Sequence, residues 1–141
     1  MKKFNFDLQP VLDYRNHEKE DAEMELNRAL SVEYEIKQNL EEIANQYLVL
    51  KKNMKATFDF YDTVQNNQNK KLLDYQKEEL LRQLAQAQII TAEKRQILAE
   101  IMKKTTALEK LKEKELESYK AAVNFEENEF VDEISTLRFN T

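Results

Sequence analysis

Residues 22–50 read AEMELNRALSVEYEIKQNLEEIANQYLVL, and this stretch decides the fold. Alternating steps of four and three residues from Ala22 visit Leu26, Ala29, Glu33, Ile36, Leu40, Ile43, Tyr47 and Leu50. Every visited side chain except Glu33 is apolar or aromatic. This heptad rhythm is typical of a coiled coil, in which one apolar stripe of a helix packs against another helix. We therefore expect a long α-helix with one buried stripe.

The same register extends outward, toward Leu8 on one side and Val64 on the other. The positions that interrupt the stripe are Arg15, Lys19, Glu33 and Thr57. Asp7 and Pro10 suit the start of the helix, because aspartate caps free amide groups and proline is tolerated in the first turn. The sequence predicts a first helix over about residues 8–65.

A polar break separates this helix from a second periodic run. Residues 65–69 read QNNQN, and asparagine favours turns because it tolerates left-handed backbone. The apolar residues of the second run are Leu73, Leu80, Leu84, Ala87, Ile90, Ile97, Ile101, Leu108, Leu111, Leu116, Tyr119, Val123, Phe130, Ile134 and Leu137. Their spacing slips near Ile90, which locally changes a supercoil. We predict a turn at about residues 66–69 and a second helix over about 70–138.

Two helices joined by a short turn run antiparallel. The predicted fold class is therefore all-α, with two long helices forming a single antiparallel coiled-coil hairpin over residues 1–141. With the turn centred near Asn67, residue i faces roughly residue 135 − i, which places Leu12 near Val123. The second helix then overhangs the first from about Asn128 to Arg138.

The composition supports helices and argues against catalysis. The chain has no glycine, no cysteine and one proline, whereas strands joined by tight turns usually need glycine or proline. Without glycine there is no phosphate-binding loop and no GxSxG nucleophile motif. A hairpin core is one seam wide and encloses no substrate pocket. We therefore expect a protein that is not an enzyme and binds no cofactor.

Charge and hydropathy narrow the range of partners. The net charge is −5, which disfavours nucleic acid because phosphates require a basic surface. The first residues show no signal peptide, and no stretch approaches the roughly 20 apolar residues that span a bilayer. We therefore predict no direct membrane insertion. Asp13, His17 and Asp21 share one helical face, but a structural zinc site usually needs four ligands, so we predict a solvated face and no metal.

The seven phenylalanines lie near the predicted ends of the hairpin. Phe4, Phe6, Phe125, Phe130 and Phe139 belong to the open end, and Phe58 and Phe60 flank the turn. Two interpretations carry similar weight. The aromatic side chains hold together helix ends that would otherwise fray, or they anchor partner proteins.

Both ends of the chain carry recognisable sequence motifs. Residues 4–15 read FNFDLQPVLDYR, and residues 108–114 read LEKLKEK, followed by Tyr119, the step Asp132-Glu133-Ile134 and Arg138. These phrases resemble the opening and closing motifs of the FliJ family of the bacterial flagellar export apparatus. Length, acidic composition and the predicted hairpin agree with that family.

The resemblance implies a non-enzymatic, stalk-like part of the export apparatus. It implies a cytoplasmic protein held at the inner face of the membrane by the apparatus. The partners it implies are the hexameric flagellar export ATPase, the cytoplasmic domain of the export gate membrane protein, and export chaperones. By analogy, the ATPase contact falls on Leu8, Arg15, Phe130, Asp132, Glu133 and Arg138. The gate contact falls on Phe58, Phe60, Tyr61, Tyr75, Leu80 and Leu84.

Three other interpretations stay open at this point. The chain is compatible with the equivalent stalk of a virulence-type secretion ATPase, which the residues alone do not separate from a flagellar one. A prefoldin-like holding chaperone would need β-hairpins beside its helices. A plain dimerising scaffold would need no internal turn, whereas the break at residues 65–69 favours a closed hairpin.

Overall fold

The computed structural model describes residues 2–56 and 59–139. They form two helices, α1 (Gln9–Ala56) and α2 (Phe60–Phe139), and no strand occurs among the residues described. Contacts between α1 and α2 fit a helical hairpin, so the predicted all-α class is confirmed. The absence of strands from these ranges removes the β-hairpins that a prefoldin-like chaperone would need.

The start of α1 follows the sequence closely. The Gln9 amide donates to the carbonyl of Phe6 at 3.0 Å, and the Leu12 amide donates to the carbonyl of Leu8 at 2.9 Å. Pro10 lies in the first turn, where backbone amides have no partner inside the helix, so its missing N–H costs no hydrogen bond.

The predicted position of the turn is wrong. Residues 66–69 lie inside α2, because α1 ends at Ala56 and α2 begins at Phe60. Asp59 explains the start of α2: its carboxylate accepts from the Tyr61 amide at 3.3 Å, and its carbonyl accepts from the Thr63 amide at 3.0 Å. Aspartate is among the best N-caps, whereas an asparagine inside a helix costs only about 0.7 kcal/mol relative to alanine. The capping signal therefore outweighs the turn preference of the asparagines.

The predicted stripe of α1 is confirmed by burial. The buried residues of this helix are Leu12, Ala22, Ala29, Ile36, Ile43 and Leu50. From Ala22 to Leu50 they recur every seven residues, which is the period of a coiled-coil seam.

The stripe of α2 differs from the prediction. Thr91 and Thr105 are buried, whereas Ile90 and Ile97 keep 48% and 47% of their surface exposed. Thr91 follows the buried Ala87 by four residues, so the seam continues without the slip predicted near Ile90. The Thr91 hydroxyl donates to the Ala87 carbonyl at 3.0 Å, and this bond is what allows a polar side chain into the seam.

Contacts divide the chain into two compact units. The first unit is Met1–Glu20 with Ala99–Thr141, and the second is Asp21–Leu98. Each unit pairs a part of α1 with a part of α2.

The register within each unit corrects the predicted pairing. In the second unit the Tyr47 hydroxyl donates to the Asp74 carboxylate, whereas the predicted register placed Tyr47 opposite residue 88. In the first unit the Tyr119 hydroxyl donates to the carbonyl of Lys2 at 2.6 Å. The predicted neighbours Leu12 and Val123 are therefore displaced. The misplaced turn accounts for the error, because every residue by which a turn moves shifts the pairing by two.

Candidate functional site

Three exposed aromatic side chains lie in the first part of α2, in the second unit. Phe60 is 82% exposed, Tyr61 70% and Tyr75 68%. We call these three residues the turn surface. Large aromatic side chains exposed to this degree mark contact surfaces more often than isolated apolar residues do. Tyr75 lies about 22 Å further along α2 than Phe60, so the turn surface extends along the helix.

A small apolar cluster lies between the two helices of the second unit. Ile43, Leu50 and Leu73 form its buried part, and Tyr47 and Leu80 pack against it. Leu80, one of the predicted gate contacts, therefore belongs largely to the seam. Leu84 is likewise half-buried, and Phe58 lies outside the described residues.

Tyr47 links the two helices beside this cluster. Its hydroxyl donates a hydrogen bond to the Asp74 carboxylate, and the Lys77 ammonium lies 5.8 Å from the centre of its ring. The hydrogen bond to Asp74 raises the pKa of Tyr47 to about 12, with smaller contributions from desolvation and from the charges of Asp74 and Glu78. The phenol therefore keeps its proton, and with it the bond, to a higher pH than an ordinary tyrosine does.

An ion pair follows on the exposed side of α2. Arg82 donates to the Glu79 carboxylate at 2.6 Å, and the Gln83 amide donates to the same oxygen at 3.5 Å. The hydrogen bond from Arg82 lowers the pKa of the Glu79 carboxyl and raises the pKa of the guanidinium. Pairs spaced three residues apart on one exposed helix face contribute little to stability, so this pair fixes side-chain positions more than it stabilises the fold.

The N-terminal residues pack onto α2 in the first unit. Phe6 is buried, and the Phe4 ring lies 5.4 Å from the Tyr119 ring, centre to centre. The Tyr119 hydroxyl also donates a hydrogen bond to the backbone carbonyl of Lys2. Of the two interpretations of the terminal aromatics, packing therefore applies to Phe4 and Phe6.

The side chains at the end of α2, by contrast, are exposed. Every side chain from Asn124 to Arg138 is exposed, and we call these residues the terminal segment. Phe125 and Phe130 keep 64% and 63% of their surface exposed. The acidic residues among them are Glu126, Glu127, Glu129, Asp132 and Glu133. The terminal segment is thus an exposed helix with both apolar and acidic side chains, which suits a docking surface.

The predicted ATPase contacts fall on two elements of the first unit. Phe130, Asp132, Glu133 and Arg138 all belong to the terminal segment. Leu8, which is 38% exposed, immediately precedes α1. Arg15 lies in α1, where it pairs with Glu18 at 2.9 Å. The sequence reasoning placed Phe125 at the open end without assigning it to the ATPase contact, and it missed Val131, which is also an exposed apolar residue of this segment.

The surface offers grooves along the helices. One of them, about 570 Å³ in volume, is lined by residues of α2 alone, between Ala99 and Lys110. In the part of the chain that the structure describes, no group of three or more His, Cys, Asp or Glu side chains is placed to hold a metal ion. Neither helix, over its described residues, is long and apolar enough to cross a membrane.

Comparison with protein families gives a match over nearly the whole chain. The family described as "Flagellar FliJ protein" matches residues 4–141. The chain belongs to the FliJ family. This FliJ family member is thus a component of the flagellar export apparatus, and its family is structural with no known enzymatic activity. Comparisons with curated proteins and with solved structures gave no significant match.

Proposed function

We propose that this FliJ family member is a non-enzymatic stalk of the flagellar export apparatus. In this proposal the terminal segment, with Leu8 and Arg15, binds the hexameric export ATPase. The turn surface binds the cytoplasmic domain of the export gate membrane protein, and the protein also contacts export chaperones. The protein is cytoplasmic and reaches the inner face of the membrane through these partners.

The exposed terminal segment is the observation that carries the ATPase contact. Phe130 is 63% exposed, and Glu126, Glu127 and Glu133 lie within about 60° of it around the helix. An aromatic side chain buried at an interface contributes much of the binding energy, and surrounding charges select the partner. A complementary ATPase surface would hold an apolar recess with basic residues at its rim.

The stalk acts on ATP turnover without binding nucleotide. A single partner bound to a symmetric ring contacts the subunits differently, and it favours whichever ring conformation binds it more tightly. The chain contains no glycine, so it has no glycine-rich loop to hold phosphates.

Stimulation of the ATPase tests the first contact. We expect Phe130→Ala to raise the concentration of the protein needed for half-maximal stimulation by about tenfold, because the loss of an aromatic anchor costs roughly 1.4 kcal/mol or more. Tyr34→Ala is the matched control, since Tyr34 is 66% exposed against 63% for Phe130 and lies outside the terminal segment. Equal stimulation by the Phe130→Ala variant and the unchanged protein would place the ATPase contact elsewhere.

A binding measurement tests the second contact. We expect Tyr61→Ala to weaken binding to the isolated cytoplasmic domain of the gate protein, measured by calorimetry. Tyr34→Ala is the control, because Tyr34 belongs to the same unit and is 66% exposed against 70% for Tyr61. If both variants bind as tightly as the unchanged protein, the gate contact does not use Tyr61.

A further inference from the structure

A groove with basic rims lies between the two helices of the second unit. Its lining consists of Tyr47, Leu50, Lys51, Met54 and Lys70, and its volume is about 260 Å³. Lys51 belongs to α1 and Lys70 to α2, so each helix contributes one lysine to the lining. We call this cleft the basic groove.

The floor of the basic groove is apolar. Leu50 is buried in the seam, and Met54 keeps 40% of its surface exposed. Methionine adapts its shape to different apolar side chains, which suits a floor that receives a partner. A segment with an apolar face and carboxylates beside it would satisfy both the floor and the rims.

The terminal segment has this chemistry. Phe130 and Ile134 are four residues apart and share one helical face, with 63% and 39% of their surface exposed. Glu126 and Glu133 lie along one edge of that face, at about 40° and 60° from Phe130 around the helix, and Glu127 lies along the other. The apolar face is therefore bordered by carboxylates on both edges, as the basic groove is bordered by ammonium groups.

We propose that the terminal segment of one copy docks in the basic groove of a second copy, so that the protein associates with itself head to tail. The carboxylates of the segment then meet Lys51 and Lys70, and Phe130 lies on the floor. This contact is heterologous, so it leaves one free groove and one free segment on every pair and adds further copies in an open series. The proposal does not depend on the stalk function, but a docked terminal segment would be withheld from the ATPase.

An anionic bilayer fits the basic groove less well than a helix does. A bilayer is flat, whereas the floor lies between two helices and is reached by a protruding side chain. A helix of a second copy meets no such mismatch of shape, because its side chains protrude into the cleft.

The expected association is weak and sensitive to salt. One helix in one groove buries less than the roughly 1,200 Å² of a standard stable interface. The whole chain carries a net charge of −5, so attraction arises only from the local pairing of opposite charges. We expect the weight-average mass of the full chain to rise with concentration in sedimentation equilibrium at about 20 mM salt, and to fall toward the monomer at about 500 mM.

Charge reversal identifies the two surfaces. We expect the groove variant, Lys51→Glu with Lys70→Glu, to remain monomeric on its own. The segment variant, Glu126→Lys with Glu133→Lys, is expected to remain monomeric as well. An equimolar mixture of the two variants restores association, because each variant then finds an opposite charge in the other. Circular dichroism checks that both variants keep the helix content of the unchanged chain.

A second pair of lysines provides the control. Lys103 and Lys110 line the groove along α2, and Lys103→Glu with Lys110→Glu changes the net charge by the same amount as the groove variant. We expect this control to associate as the unchanged protein does. The proposal is overturned if the unchanged protein stays monomeric at low salt, if the control loses association as fully as the groove variant, or if the mixture fails to associate.

Discussion

Removal of one seam side chain near the turn should destabilise the hairpin by an amount that the structure predicts. Leu50 is 7% exposed and packs with Ile43 and Leu73 in the apolar cluster of the second unit. Leu50→Ala removes three carbon atoms from this cluster, which corresponds to about 2.4 kcal/mol of lost transfer free energy. The cavity adds little, because a seam one layer wide can close or admit water. We expect the free energy of unfolding to fall by about 2–3 kcal/mol.

Leu48 provides a control in the same helix. It is 62% exposed, so Leu48→Ala makes the same chemical change and the same change in helix propensity with almost no loss of burial. We expect its free energy of unfolding to stay within about 0.5 kcal/mol of the unchanged protein. Urea unfolding followed by circular dichroism at 222 nm measures both variants. Equal losses for the two variants, or a loss below about 1 kcal/mol for Leu50→Ala, would refute the assignment of Leu50 to the seam.

Three further perturbations test single contacts. The unchanged protein should lose stability as the pH rises from about 10 to about 12, because an unfolded tyrosine ionises near 10 while Tyr47 retains its proton until about 12. Tyr47→Phe should show a smaller loss over that window in urea unfolding, and an equal loss would mean that the bond to Asp74 does not persist in solution. Thr91→Val keeps the shape of a buried side chain and removes its hydroxyl, whose acceptor, the Ala87 carbonyl, is also the acceptor of a helical hydrogen bond. We expect the free energy of unfolding to stay the same or to rise by up to about 1 kcal/mol, so the melting temperature should not fall. A clear fall in the melting temperature would show that the hydroxyl is needed. Asn67→Pro should lower the free energy of unfolding by about 3 kcal/mol, because Asn67 lies inside α2, whereas Asn67→Ala should be neutral or slightly stabilising. If the proline variant is as stable as the unchanged protein, the turn lies at residues 66–69 after all.

The helical class and the stripe of α1 could be predicted because both follow from local rules. A heptad of apolar residues specifies which face of a helix is buried, whatever the partner is. The regular burial of Ala29, Ile36 and Ile43 shows that the partner did not alter this face.

The stripe of α2 was harder to predict because apolar character is an imperfect sign of burial. Ile90 and Thr91 are neighbours, and the choice between them rotates the predicted face by about 100°. The isoleucine looked like the seam residue, yet the threonine is buried with its hydroxyl bonded to the backbone. A hydropathy pattern ranks isoleucine above threonine and does not record that the threonine hydroxyl can bond to the carbonyl four residues earlier.

The surface residues followed the sequence only in part. An exposed end of α2 was predicted from about Asn128, and the structure exposes every side chain from Asn124. Phe4 and Phe6 could not be told from Phe130 by residue type, because the same aromatic ring serves as packing or as a contact according to what stands opposite it. Tyr119 stands against Phe4, whereas Phe130 is 63% exposed.

The register of the hairpin depends on a few polar groups, because the apolar seam alone does not specify it. The observed and the predicted partners of Tyr47, Asp74 and residue 88, are 14 residues apart, which is a multiple of the heptad repeat, so the repeat of the α1 stripe alone does not tell the two pairings apart. The Asp59 cap selects one of them by fixing where α2 begins, and the Tyr47–Asp74 and Tyr119–Lys2 hydrogen bonds form only in that register. Since the pairing also decides which residues of α2 lie against α1, the Tyr119–Lys2 bond of the first unit bears on which part of α2 is exposed there.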